Sequence, residues 1–165
     1  MTKSPRSPAA PTTTPLAVGE PAPEFESFDQ HGACVRSASL ANRSYVLYFY
    51  PKDATPGCTR EATDFEGALA RFKKKGVRVL GVSGDTVASH ARFAEKQGLT
   101  FTLLSDPERK LARAYGVWIL KKSYGREYLG IERSTFLIDR AGRVAAAWRG
   151  VRVAGHVDEV LAALG

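Results

Sequence analysis

The order of apolar runs along this chain constrains its fold more than any other feature. Tyr45–Tyr50, YVLYFY, is a short aromatic and β-branched run of the kind that forms a buried strand. Residues 59–75 then place Ala62, Phe65, Leu69 and Phe72 on one helical face and stop at Gly76. VRVLGVS (Val77–Ser83) predicts the next strand, with Asp85 or Thr86 placed to cap a helix that runs to about Gln97 and stops at Gly98. FTLL (Phe101–Leu104) predicts a short strand. SDPERKLARAYG predicts a helix with Asp106 as N-cap, Pro107 at the first helical position and Gly116 at its end. STFLIDRAGRVAAAWRG reads as a hairpin about Asp139–Gly142, and FDQHGACVR as an earlier hairpin around His31-Gly32. HVDEVLAALG closes the chain with Val157, Val160, Leu161 and Leu164 on one helical face. Alternating strands and helices, followed by a hairpin and a helix, predict an α/β architecture with a central mixed β-sheet flanked by helices. That order is compatible with a thioredoxin-like fold.

A chain of 165 residues suits one domain with a real core. Residues 1–15 are rich in Pro, Ser and Thr and have no continuous apolar stretch. They read as a flexible tail rather than a secretory leader, leaving residues 16–165 as the domain. No apolar run approaches the ~20 residues of a membrane span. The formal charge of +7 raises the question of a nucleic-acid partner. The cations are scattered, however, and the one cluster, Lys73-Lys74-Lys75, precedes Gly76, where a helix end favours positive charge. No nucleic-acid partner is expected. Cys34 and Cys58 form neither a C-x-x-C pair nor, with His31, His90 and His156, a zinc-ligand array, so no metal is expected. Two cysteines do not make a disulfide scaffold in a domain this size. A reducing, cytoplasmic setting fits better. Gly81 and Gly84 in GVSGDT are too sparse for a phosphate loop and read as a strand-end turn. Trp118 and Trp148 read as core or pocket-edge residues.

The chemistry concentrates in PKDATPGCTRE (Pro51–Glu61). Thr55 suits a helix N-cap, Pro56 the first helical position, and Gly57 lets another group approach the backbone closely. Cys58 then falls in the first turn, where free N–H groups and the positive end of the helix dipole face its sulfur. Such surroundings lower a thiol pKa and make the thiolate a nucleophile. The residue three before Cys58 is a threonine, not a second thiol. A hydroxyl and free backbone N–H groups can hold a small peroxide, and a cation from elsewhere in the chain could stabilise the charge on the leaving oxygen.

PKDATPGCTRE resembles the active-site segment of the peroxiredoxins, and among them the bacterioferritin comigratory protein branch, also called PrxQ. GVSGDTVASHARFAEKQGLTFTLLSDPERKLARAYGVW and GIERSTFLID resemble the same branch in order and spacing, over roughly residues 16–165. The resemblance implies a thioredoxin-like fold and a cofactor-free, thiol-dependent peroxidase acting on hydrogen peroxide and alkyl hydroperoxides. It implies that Cys58 is the nucleophile that becomes a sulfenic acid and that Thr55 hydrogen-bonds the peroxide. Arg133 would lower the thiol pKa and support the transition state. Pro51 would shield the thiolate, and the N–H groups of Gly57 and Cys58 would complete the pocket. Glu61, one turn beyond Cys58, would oppose thiolate formation by its charge, and is expected instead to orient Arg133.

The chain departs from the branch at both usual positions of a second, resolving cysteine, which hold Thr63 and Ala94. Cys34, the remaining candidate, reads more simply as a small strand residue. A one-cysteine mechanism is therefore expected, with thioredoxin, glutaredoxin or a low-molecular-weight thiol as external reductant, in a monomer. A peroxide-sensing relay or holdase is the alternative from another class.

Overall fold

The computed structural model describes residues 15–164. The expected tail over residues 1–15 lies outside them apart from Pro15. Two parallel crossovers form the centre. Strand β3 (Ser44–Phe49) pairs in parallel with β4 (Val77–Ser83), Val46 opposite Val79, and β4 pairs in parallel with β5 (Thr102–Ser105). Helix α1 (Pro56–Lys74) makes the first crossover and α2 (Val87–Gln97) the second. A hairpin of β1 (Glu26–Asp29) and β2 (Cys34–Arg36) adds antiparallel to β5. A second hairpin, β8 (Ser134–Ile138) and β9 (Val144–Arg149), adds antiparallel to β3. The sheet order is β2-β1-β5-β4-β3-β8-β9, the expected mixed sheet. Helices α3 (Lys110–Ala114) and α4 (His156–Ala162) complete the α-helices of the described residues, a short 3-10 turn spans Ser37–Leu40, and β6 (Trp118–Ser123) and β7 (Arg126–Ile131) form a separate ribbon. No helix of the described residues is long and apolar enough to cross a membrane.

The pleat of β3 explains the two cores. Val46 and Tyr48 face one side, where they meet Phe65, Leu69 and Phe72 of α1, Phe93 of α2 and Val157 and Val160 of α4. Leu47 and Phe49 face the other, with Leu111, Tyr115, Trp118 and Phe136. Phe65 and Phe72 are fully buried, each worth about 2–3 kcal/mol of apolar burial. Strand β3 has a parallel neighbour on one side and an antiparallel one on the other, and α1 starts just beyond its carboxyl end. In open α/β sheets that is where ligands collect.

Two expectations need correction, and one element is new. The SDPERK segment does not start a helix at Pro107. The Asp106 carboxylate accepts from the N–H groups of Leu111 and Ala112 (3.1 and 2.9 Å), Arg109 is left-handed (φ 61°), and α3 begins at Lys110. Gly81 is not in a strand-end turn but inside β4, where the Tyr48 ring lies so close that a Cβ would sit 2.9 Å from it. The ribbon β6–β7 was not anticipated. Its turn, Tyr124-Gly125, has both residues at positive φ (51° and 75°), the geometry of a two-residue hairpin turn.

Candidate active site

The TPGC segment folds as its residue types dictate. Thr55 is extended (φ −78°, ψ 153°) and Pro56 opens α1. Thr55 holds the N-cap position as the sequence suggested, but its hydroxyl makes no cap hydrogen bond. It donates instead to the Lys52 carbonyl (2.8 Å), which leaves its lone pairs free to accept. Cys58 sits in the first turn with only 1% of its surface exposed. Arg133, in the short link between β7 and β8, reaches across to it. Its Nη2 donates to Cys58 Sγ at 3.4 Å and its Nη1 donates to Glu61 Oε1 at 2.7 Å. Gly57 makes this approach possible, since a Cβ there would lie 3.3 Å from Arg133 Nη2. The Arg133 side chain is mostly withdrawn from solvent, 18% exposed.

Burial dominates the electrostatics. Glu61 is fully buried, and removal from water pushes its pKa up to about 7 against the opposing pull of Arg133. Its second oxygen, Oε2, has no hydrogen-bond partner among the described residues. Burial works to lower the Arg133 pKa, but the Glu61 and Cys58 charges and hydrogen bonds outweigh it and raise it, so the guanidinium stays a cation. Two further groups were not found by sequence reasoning. His156, at the start of α4, is buried and hydrogen-bonded to Thr135 Oγ1 (2.7 Å). Burial first, and then the Arg133 charge, hold it down to about 4, so it is neutral at physiological pH. Lys121 of β6 lays its stem across Gly130. Burial and then Arg133 lower its pKa, with Glu132 and Cys58 opposing. Alternation within the ribbon would have pointed to Lys121 had the ribbon been recognised. Nothing in the spacing of His156 points to Arg133.

The remaining expected residues are dispersed. Pro51 is exposed two residues beyond β3, and Cys34 is exposed on β2, its Sγ 3.9 Å from Glu26 Oε1. Neither cysteine is in a disulfide. A cavity of about 460 Å³ between β1 and α3 is lined by Phe28, Asp106, Leu111 and Tyr115 among others, and includes neither Cys58 nor Arg133. The structure brings together the Cys58 thiol, the Arg133 guanidinium and the Glu61 carboxylate, and this grouping lies apart from that cavity.

A comparison with protein families matches residues 18–147 to the AhpC/TSA family. Peroxiredoxin Bcp of Bacillus subtilis is 48% identical over 149 residues, spanning 90% of this chain and 95% of that protein. The chain belongs to the AhpC/TSA family, in its Bcp/PrxQ group of peroxiredoxins. Peroxiredoxin Bcp of Xanthomonas campestris is 56% identical over 119 residues, 72% of this chain and 74% of that protein. Among solved structures, the bacterioferritin comigratory protein of Xanthomonas campestris, studied for alkyl peroxide reduction, superposes with a TM-score of 0.82 at 48% identity, covering 85% of this chain and 89% of that one. A mutant of Xylella fastidiosa PrxQ superposes with a TM-score of 0.87 at 40% identity, covering 92% and 97%. The thioredoxin-like fold follows, and so does the activity of the group: this peroxiredoxin is a thiol-dependent peroxidase.

Proposed function

We propose that Cys58 is the peroxide-reducing thiolate and that it turns over by a one-cysteine mechanism. The observation that carries the assignment is the Arg133 fork, one arm on Cys58 Sγ and the other on the buried Glu61. The thiolate attacks one oxygen of the peroxide, the O–O bond breaks, and an alkoxide or hydroxide leaves and takes up a proton. Cys58 is left as a sulfenic acid. The Thr55 hydroxyl, its own proton committed to Lys52, accepts from the peroxide O–H, and the N–H groups of Gly57 and Cys58 fix the oxygens. Arg133 stabilises both the thiolate and the leaving oxygen. Glu61 holds Arg133 in place, and the shielding role of Pro51 is carried over from the family resemblance. Hydrogen peroxide and alkyl hydroperoxides are the substrates in this reading.

Regeneration needs an external thiol. It attacks the sulfenic sulfur and releases water, and a second thiol then frees Cys58 from the mixed disulfide. Two features support this. Cys34 lies on β2 and is four strand intervals, roughly 19 Å, from β3. A disulfide needs Cα atoms within about 7 Å. Two solved structures of Xanthomonas campestris PrxQ are serine mutants of two different cysteines. Those cysteines are separated by the same interval as Cys58 and Ala94 here, and Ala94 is a buried methyl on α2. Thioredoxin, glutaredoxin or a low-molecular-weight thiol would act on a monomer in the cytoplasm.

The test is the intact, non-reduced mass after one equivalent of hydrogen peroxide, with Cys58→Ser and Cys34→Ser alongside. Added oxygen that is lost only in Cys58→Ser is the expected result. Loss of two hydrogens requiring both cysteines would make Cys34 the resolving residue, and a doubled mass would mean an intermolecular bridge. Absence of any change would overturn the assignment of Cys58.

A further inference from the structure

The loop between β3 and α1 carries Pro51 and Thr55, and its conformation is not one the chain would choose locally. Ala54 is left-handed (φ 65°), a region where a Cβ crowds the backbone. The residue before it, Asp53, is 6% exposed and is the most heavily bonded side chain in this part of the molecule. Its Oδ1 accepts from the Tyr50 hydroxyl at 2.6 Å. Its Oδ2 accepts from the Ser89 hydroxyl at 2.9 Å and meets His90 Nδ1 at 2.7 Å. The Asp53 N–H donates to Asp85 Oδ2 at 2.8 Å, and the Ser83 hydroxyl donates to that same oxygen at 2.5 Å. His90 is itself fixed, because its Nε2 faces the Leu104 carbonyl at 3.0 Å, a group that can only accept. Both ring nitrogens are thus engaged, Nε2 by Leu104 and Nδ1 by Asp53. Burial alone would raise the Asp53 pKa, but its donors, His90 foremost, bring it below the usual value and keep it an acceptor. The ligand atoms of Asp53, Asp85 and His90 lie within 4.8 Å of one another. Both Asp53 oxygens and both His90 nitrogens are already committed to protein partners, so the cluster is a clamp and not a vacant metal site.

We propose that Asp53, held by Tyr50 and by Ser89 and His90 of α2, is a positioning residue that keeps Ala54 left-handed and thereby places Thr55 and the first turn of α1 for peroxide. The inference rests on the assignment of Thr55 and Cys58 made above. Asp53 touches neither the sulfur nor the peroxide. Its work is to balance the strain at Ala54, and that gives it a signature a merely structural residue lacks: relieving the strain must make the clamp dispensable. Glycine is at ease at positive φ, so Ala54→Gly supplies that relief.

The experiment compares wild type, Asp53→Asn, Ala54→Gly and the double variant. Each is assayed for the second-order rate of Cys58 with hydrogen peroxide and with iodoacetamide. Iodoacetamide needs only an accessible thiolate, whereas peroxide also needs the placed hydroxyl and N–H groups. The expected ratio of the two rates falls at least tenfold in Asp53→Asn, is unchanged in Ala54→Gly alone, and recovers to within about threefold of wild type in the double variant. An unchanged ratio in Asp53→Asn, or a double variant as slow as Asp53→Asn, overturns the proposal. Ser89→Ala removes one donor and leaves the buried pair in place. It gives the same ordering at smaller amplitude, with and without Ala54→Gly, and decides the matter if Asp53→Asn does not fold. Peroxide consumption that survives Cys58→Ser would instead sink the site assignment, and this inference with it.

Discussion

The Arg133 guanidinium donates to two side chains at once, Cys58 Sγ and Glu61 Oε1, and a single-point cation cannot. Replacing it with lysine keeps the charge but loses the planar fork that spans Cys58 and Glu61. In stopped-flow measurements, Arg133→Lys should lower the peroxide rate by about 10²–10³, the usual loss for one preorganised donor at a developing charge. Gly57→Ala separates activity from stability. Alanine favours the helix by up to about 1 kcal/mol, yet its Cβ meets Arg133 Nη2 at 3.3 Å. The expected outcome is an unchanged or higher thermal midpoint with a peroxide rate lowered by about threefold or more. At this scale the sequence is legible only where chemistry is local. TPGC announces a thiol at a helix start from its own residues. Nothing within RSTFLID says that its arginine reaches a cysteine 75 positions earlier. That came through family resemblance, and Lys121 and His156, which no resemblance supplied, went unseen.

The elements follow the same division. β3, α1, β4 and α2 were legible because apolar period, caps and stops agree. Thr86 accepts from the Ser89 N–H and Gly98 is left-handed, as their residue types require. α3 misled because tertiary contacts overrode a good local signal. The Arg109 guanidinium stacks on Trp118, 5.2 Å from the ring centre, and presses against Gly84, which draws its backbone out of the helix. In β6–β7 the pair Lys121-Lys122 blurs the alternation, and only the Tyr-Gly turn marks the hairpin. The contact between β3 and β4 gives a sharp test. In Gly81→Ala, the new methyl group would lie 2.9 Å from the buried Tyr48 ring. It should destabilise the protein by roughly 1–3 kcal/mol in urea unfolding, with the change in midpoint and not in slope.

For the molecule as a whole, two buried groups should set opposite slopes of stability against pH. Glu61 titrates near 7 when folded and near 4.5 otherwise, so the folded state holds an extra proton between those values and stability falls as pH rises through them. His156 titrates near 4 when folded and 6.5 otherwise, so there the unfolded state holds the extra proton and stability rises with pH. Each contributes up to about 1.4 kcal/mol per pH unit, and from pH 4.5 to 6.5 they oppose. Urea midpoints of the wild type should be nearly flat across that range. His156→Asn should fall with rising pH, and Glu61→Gln should climb. The burial of Cys58 has a kinetic consequence. With 1% of its surface exposed, the sulfur discriminates by size. In the proposed cycle a peroxide is small enough to reach it in the closed enzyme, whereas a thiol carried on a protein would need the first turn of α1 to open. The oxidative half of that cycle should then scale with peroxide concentration while the reductive half should saturate at the opening frequency, so that under a heavy peroxide load the enzyme should accumulate in its oxidised form however much protein reductant is supplied.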